Sequence, residues 1–285
     1  MLLQLWCAMN KNLRNGLAIF LASFLLFTIL FWFFIPTSDS QLKKSDFLKE
    51  KQRKFHLLAI GDSLTQGVGD TTNQGGFVPL LARRLDETYR YDTVTSNYGI
   101  SGNTSRQILN RMKKQKAIQK NLKTANLMTL TVGGNDVMKV IRENLDHLDT
   151  DSFTPGVKAY QKNVKEIIKL ARKGNPELPI YIVGIYNPFY LNFPEMTQMQ
   201  DIVDNWNEQT KQLVADYDGV YFVGINDQLY KGVEGQEGVV SVSGERTIVV
   251  NDALFTEDHF HPNNIGYGIM ADAIMERISQ THETK

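Results

Sequence analysis

From Phe55 onward, short runs of apolar, β-favouring residues alternate with longer amphipathic stretches, and that rhythm leaves few folds open. The strand-like runs are 55–60, 93–97, 127–132, 180–185 and 219–223; the helix-like stretches between and after them are 77–89, 104–116, 156–173, 196–217 and 264–279. In 156–173 the residues Tyr160, Val164, Ile167, Ile168 and Ala171 recur on one side, the helical period of a half-buried face. Gly174-Asn175-Pro176 then stops the helix. Ile265, Ile269, Ala273 and Ile274 repeat in the same way near the end of the chain. Strands that are apolar throughout and separated by helices belong in a parallel sheet covered on both faces. The spacing therefore predicts an α/β domain over 55–285.

Two segments break the rhythm. Residues 226–252 are rich in glycine and carry two valine-rich runs on either side of Ser243-Gly244, the pattern of a β-hairpin. It is read as a surface elaboration or, because it leads into the last loop, as a wall of the substrate site. The other segment, 17–35, is LAIFLASFLLFTILFWFFI. At 1.5 Å per residue its length of about nineteen residues covers roughly 28 Å, enough for the hydrocarbon core of a bilayer. It predicts a membrane-spanning helix, with 1–16 as a short tail and 36–54 as a charged stalk. Lys11 and Arg14 precede it, as in a signal peptide, but the apolar run exceeds a typical signal core and favours a permanent anchor. The expected arrangement is single-pass in the cell membrane, with the amino terminus inside and the domain outside; secretion after cleavage is the alternative. Met9 is an alternative start.

Composition removes several classes of function. The 285 residues carry no formal net charge, and no basic block is interleaved with aromatics, so the electrostatic footprint of nucleic-acid binding is missing. The single cysteine, Cys7, precedes the folded region, which excludes a disulfide framework, a thiolate zinc site and a thiol nucleophile in the domain. Oligomeric state is not legible.

Gly61-Asp62-Ser63-Leu64-Thr65 directly follows the first strand and places a hydroxyl in the turn that leaves it. In a parallel sheet the loops at the carboxyl ends of the strands share one edge, where ligands bind. Gly102 follows the second strand, Asn135 the third, and Asp258 and His261 lie in the final loop, so all share that rim. A serine needs an adjacent base, which His261 can provide if Asp258, one turn earlier, holds its other ring nitrogen. The N–H groups of Ser63 and Gly102 and the side-chain amide of Asn135 suit the developing oxyanion of acyl transfer. Taken singly, 98–103 is an ordinary loop with Ser101, Asn103 or Thr104 as helix caps, and Gly133-Gly134-Asn135-Asp136 is a glycine turn. Their order along the chain points to a serine ester hydrolase.

Together with Ile100-Ser101-Gly102-Asn103-Thr104 and Asp258-His259-Phe260-His261-Pro262, these blocks resemble those of the GDSL, or SGNH, hydrolases. The resemblance covers roughly 54–280. It implies a flavodoxin-like three-layer α/β/α sandwich without metal or cofactor. It also implies Ser63 as nucleophile, His261 as base, Asp258 as its orienting partner, and Ser63, Gly102 and Asn135 in the oxyanion hole. The implied substrates are small-molecule or lipid acyl esters, and the bacterial lipase and lysophospholipase-like acylhydrolases are the most similar branch. An O-acetyl esterase or acyltransferase acting on cell-envelope polysaccharide is the alternative, and a surface-binding module is the non-enzymatic one.

Other reactive residues are read as structural. His259 and His261 with Asp258 lack the further ligand that a zinc site requires. His56 lies inside a strand, and Met196, Met199 and Trp206 sit at helical spacing as core. Asp62 and Asp136 orient loops or touch substrate. Gly67-Val68-Gly69 lacks the lysine and serine of a phosphate loop, and no G-x-S-x-G elbow is present.

Overall fold

A computed structural model describes residues 10–34, 52–144, 150–191, 196, 198–233, 236, 238–243 and 246–282, divided between two units, 1–51 and 52–285. Met9, Cys7 and most of the expected stalk lie outside the described residues. The first unit contributes one helix, α1 (Lys11–Phe34), whose best window has a mean hydropathy of 2.6 and none of whose residues is buried. It starts ahead of the predicted apolar run because Asn10 caps it: the Asn10 side chain accepts the Asn12 N–H at 3.1 Å, and Arg14 N donates to Asn10 O at 3.0 Å. The helix has the length of a membrane span, and its position near the amino terminus also suits a signal sequence.

In the second unit five strands, β1 (Arg53–Gly61), β2 (Tyr91–Gly99), β3 (Leu127–Thr131), β4 (Ile180–Val183) and β5 (Val220–Val223), form one parallel sheet in the order β2-β1-β3-β4-β5. That is the flavodoxin-like order, with its switch point where β2 and β3 flank β1. Alternate strand residues feed two cores. Leu58, Ile60, Met128 and Ile182 join one face, with Ile108, Ile167 and Trp206 from the helices above it. Leu57, Ala59 and Val183 join the other, with Leu81, Tyr267 and Met270. Period-two side chains that are apolar on both faces require helices on both, which produces the three layers.

The helices are α2 (Ser63–Gln66), α3 (Phe77–Tyr89), α4 (Ser105–Lys114), α5 (Lys116–Leu122), α6 (Gly134–Glu143), α7 (Thr154–Ala171), α8 (Gln198–Ala215), α9 (Asn226–Leu229) and α10 (Asn264–His282). The long periodic ones match their predicted stretches closely. The predicted helix 104–116 instead breaks at Gln115, which is extended (φ −90°, ψ 109°), and α5 follows. Gln119 bridges the break by donating to the carbonyls of Met112 and Lys113. β2 is longer than its apolar run because pairing with β1 from Arg53↔Tyr91 to Gly61↔Gly99 extends it over polar residues.

The Gly133 turn is the cap of a helix rather than a free loop. Gly133 takes φ +121°, and α6 follows with Val137 and Val140 buried. Met199 and Trp206 are core, but Met196 is 36% exposed and fills none of it, because it lies ahead of the first turn of α8. His56 sits in β1 with its ring between the hydroxyls of Ser96 and Thr124. The hairpin exists as β6 (Gly238–Ser243) and β7 (Arg246–Val250), antiparallel with an irregularity between Val239 and Ser241. Its predicted start at Asn226 is instead α9, packed through Asn226 and Leu229.

Candidate active site

The chain leaves β1 through a turn that a side chain at Gly61 would block. A Cβ there would lie 2.2 Å from Thr131 Oγ1 and 2.5 Å from Thr65 Oγ1. Thr131 donates to Asp62 Oδ1 at 2.7 Å, and the same Asp62 oxygen accepts the Leu64 N–H at 3.1 Å, capping α2. Burial pushes the Asp62 carboxyl up, and these hydrogen bonds oppose the rise. Ser63 is the first residue of α2, and Gly67 in the left-handed region (φ +88°) ends the helix. Asp62 therefore orients the serine turn, while it also lines the pocket in front of it.

Gly102 (φ +76°) lies in the loop after β2, where Ser101 N donates to Gln66 Oε1 at 2.6 Å. Thr104 and Gln107 form a capping box that starts α4 behind it. Asn135 is in the first turn of α6, and its Nδ2 donates to Asn103 O at 3.2 Å. Next to it, Asp136 accepts the Ser105 N–H at 2.8 Å and the Ser105 hydroxyl at 2.6 Å, tying α6 to α4. Burial raises the Asp136 carboxyl, against the pull of those bonds. Asp136 is absent from the pocket lining and works as a loop tie.

In the last loop His261 Nδ1 lies 2.6 Å from Asp258 Oδ2, and Asp258 Oδ1 accepts the N–H groups of Phe260 and His261 at 2.9 and 3.0 Å. Burial works to raise the Asp258 carboxyl, but the His261 ring and the two N–H groups outweigh it and hold it below the ordinary carboxylate range. His259 takes φ +51° and is exposed. Among the described residues no cluster of three or more His, Cys, Asp or Glu side chains could hold a metal ion.

Ser63, Gly102, Asn135 and His261 line one pocket of about 150 Å³, with Asp258 behind His261 rather than in the lining. No hydrogen bond joins Ser63 Oγ to His261 Nε2 among the described residues, although both residues line the pocket; such contacts are commonly long before substrate binds. Much of the remaining lining is apolar: Leu64 and Val132 contribute, and so do Phe260 and a loop that sequence reasoning missed, 184–188 after β4. Asn207 clamps that loop, accepting from Ile185 N at 2.9 Å and donating to Ile185 O at 2.8 Å. Tyr186 donates its hydroxyl to Phe260 O. Among the described residues of 226–252 none lines the pocket; the hairpin side chains from 238 to 249, on which the reading as a substrate wall falls, lie outside the described ones.

Gly69 was also missed, although its G-x-G context was seen. A Cβ at Gly69 would lie 2.5 Å from Pro262 O and 3.3 Å from His261 Cβ, so glycine there lets the first loop pack against the last. Tyr267 adds a hydrogen bond to Val68 O, and Thr71 N donates to the Asn264 side chain.

The sequence model described as the GDSL-like Lipase/Acylhydrolase family matches residues 59–269. The chain belongs to that family, and it is an esterase/acylhydrolase. It is 30% identical to the uncharacterized protein YpmR of Bacillus subtilis over 247 residues, 86% of this chain and 89% of that one. It is 26% identical over 159 residues to the spore germination lipase LipC of Bacillus licheniformis, covering 54% of this chain and 73% of that one. In fold it is similar to the lipase Lip_vut3 from a goat rumen metagenome, with a TM-score of 0.64 at 22% identity over 78% of this chain and 96% of that one.

The loop between α2 and α3 is organised by Asp70, whose carboxylate accepts from the Thr72 N–H and hydroxyl and from the N–H groups of Gln74, Gly75 and Gly76. Burial works to raise its pKa, but the Thr72 hydroxyl and the backbone donors prevail and bring it from 3.8 to about 2. A lowered folded value means that ionised Asp70 contributes stability fully above pH 3.8, and that this is lost as pH falls through 2. Asp70→Asn should therefore lower the melting temperature at pH 7 and weaken the dependence of stability on pH between 4 and 2. Unchanged pH–melting curves would show that Asp70 carries no such linkage.

Proposed function

We propose that this esterase cleaves acyl esters of lipid or lysophospholipid type through a Ser63–His261–Asp258 triad and an oxyanion hole of Ser63, Gly102 and Asn135. The reading rests on one observation: Ser63, Gly102, Asn135 and His261 line one pocket from four separate segments, and the imidazole among them has a carboxylate 2.6 Å from its Nδ1. Ser63 Oγ attacks the acyl carbon while His261 Nε2 takes the hydroxyl proton. Asp258 fixes the tautomer and stabilises the imidazolium that forms. The carbonyl oxygen becomes an oxyanion facing the N–H groups of Ser63 and Gly102 and the amide of Asn135. His261 then gives its proton to the departing alkoxide. Water, deprotonated by His261, attacks the acyl-enzyme; the acid leaves and the proton returns to Ser63.

The lipid-type substrate is supported by the apolar lining from Leu64, Val132, Ile185, Pro188 and Phe260. It is also supported by α1, which we take as an uncleaved single-pass anchor in the cell membrane, leading through the stalk over 36–54 to a catalytic domain on the outer side. That domain is taken as 55–285. The relative LipC is named a lipase.

Ser63→Ala should abolish hydrolysis and labelling by a fluorophosphonate probe without shifting the unfolding transition; full activity in that variant defeats the assignment. Loss of one oxyanion donor typically costs about a hundredfold or more in kcat, and Asn135→Ala should fall in that range. On a substrate panel, fatty acid release from lysolipids should exceed acetate release from acetylated glycans, and the opposite ranking would move the enzyme to O-acetyl ester or acyl-transfer chemistry. If α1 is retained, the protein from cells should stay in the membrane fraction at the full-length mass, whereas a soluble, shortened product would mark a cleaved signal.

A further inference from the structure

We infer that Arg111 is a positioning residue for the oxyanion hole: it ties the serine turn after β1 to the Gly102 loop after β2, and through Asn103 it reaches the segment of Asn135. The inference rests on the hole proposed above. Arg111 projects from α4, and its guanidinium makes three hydrogen bonds in three directions: Nε to Asn103 Oδ1 at 2.8 Å, Nη1 to Tyr98 O at 3.0 Å, and Nη2 to Gly61 O at 2.9 Å. Each acceptor lies in a segment that leads to a donor of the hole. Gly61 ends β1, two residues before Ser63. Tyr98 lies at the end of β2, where the chain enters the loop of Gly102. Asn103 follows Gly102, and its own carbonyl accepts the Asn135 amide at 3.2 Å.

The loop of Gly102 depends on such ties. Gly102 is in the left-handed region, and a Cβ built on it meets nothing within 4 Å, so packing at that point does not hold it. What holds it is directional: Ile100 N donates to Gly61 O at 3.1 Å, and Asn103 N to Ile100 O at 3.3 Å. Gly61 O thus accepts from both the Gly102 loop and Arg111, using both of its lone pairs. It is the junction through which the serine turn and the glycine loop are registered.

Arginine suits this task because its planar fork offers donors in fixed directions, whereas a lysine ammonium is a point charge on a flexible stem. Arg111 takes part in none of the ion pairs among the described residues. The bonds of this half-buried guanidinium to three neutral oxygens fix direction rather than pair charge.

The test is a double-mutant cycle on the full chain, purified in detergent, with a soluble p-nitrophenyl ester as substrate. Wild type, Arg111→Lys, Asn103→Ala, Asn135→Ala and the Arg111→Lys/Asn135→Ala double variant are compared for kcat, KM and melting temperature. A misplacement of about an ångström costs on the order of a hundredfold, so Arg111→Lys should lower kcat by about ten- to a hundredfold with KM within about threefold of wild type. The double variant should be less impaired than the product of the two single effects, because the donors act as a unit. Asn103→Ala, which leaves two of the Arg111 bonds in place, should lower kcat in the same sense but less, and it decides the matter if Arg111→Lys does not fold. Asn135→Ala impaired with Arg111→Lys and Asn103→Ala at wild-type kcat would overturn the inference alone, as would strictly multiplicative effects. Asn135→Ala at full turnover would overturn the oxyanion hole itself, and the inference with it.

Discussion

The hydrogen bond from Thr131 at the end of β3 to the carboxylate of Asp62 just past β1 is the contact on which the rim of the sheet depends. It decides how the chain leaves its central strand. Thr131 Oγ1 also lies 2.8 Å from Thr65 Oγ1, and the two hydroxyls occupy the space that a side chain at residue 61 would need. The turn is therefore built around a glycine, a buried carboxylate and two threonines, all with little or no exposure. Such a cluster is costly to bury unless every member is hydrogen-bonded, and for that reason it admits one geometry. Ser63 emerges from that geometry at the switch point between β1 and β3, where the sheet is open to a ligand.

Around this turn the other loops are held by direction rather than by bulk. The two cores under the sheet are apolar and close-packed, and they fix the strands and helices. At the carboxyl rim the loops need more than apolar packing to fix them. Hydrogen bonds take over: Tyr267 to Val68 O, Tyr186 to Phe260 O, Asn207 to both backbone groups of Ile185, and Arg111 to three neutral oxygens. A hydrogen bond orients its partners within narrow angles, which an esterase needs because donors must face the place where charge develops. Gly69 adds a steric version of the same constraint, since only a missing side chain lets the first loop touch Pro262.

Legibility followed the period of the apolar residues. α3, α7 and α10 have a buried stripe repeated over several turns, and their limits were read to within a few residues. Strands β1, β3, β4 and β5 were found because each buries apolar residues; β2, at the sheet's edge, buries none fully and was read short, since its polar residues are carried by pairing with β1. α6 was missed because two glycines at its start look like a turn, and only the buried Val137 and Val140 show that a helix follows. Met196 was placed in the core on spacing alone, which cannot tell whether a helix has yet begun. The loop after β4 had no signature, because its contribution is an apolar wall and any small run of apolar residues would read the same.

The sequence by itself determined the layer architecture, since alternating periods of two and of three to four leave a covered parallel sheet as the consistent solution. It also determined the family, through four short blocks whose order on one rim is improbable as an accident. Tertiary structure alone decided which residues meet: the lining from 184–188, the contact of Gly69 with Pro262, and the convergence of Gly61, Tyr98 and Asn103 on one guanidinium. Those depend on distances between segments far apart in the chain. Periodicity along one dimension carries no information about them.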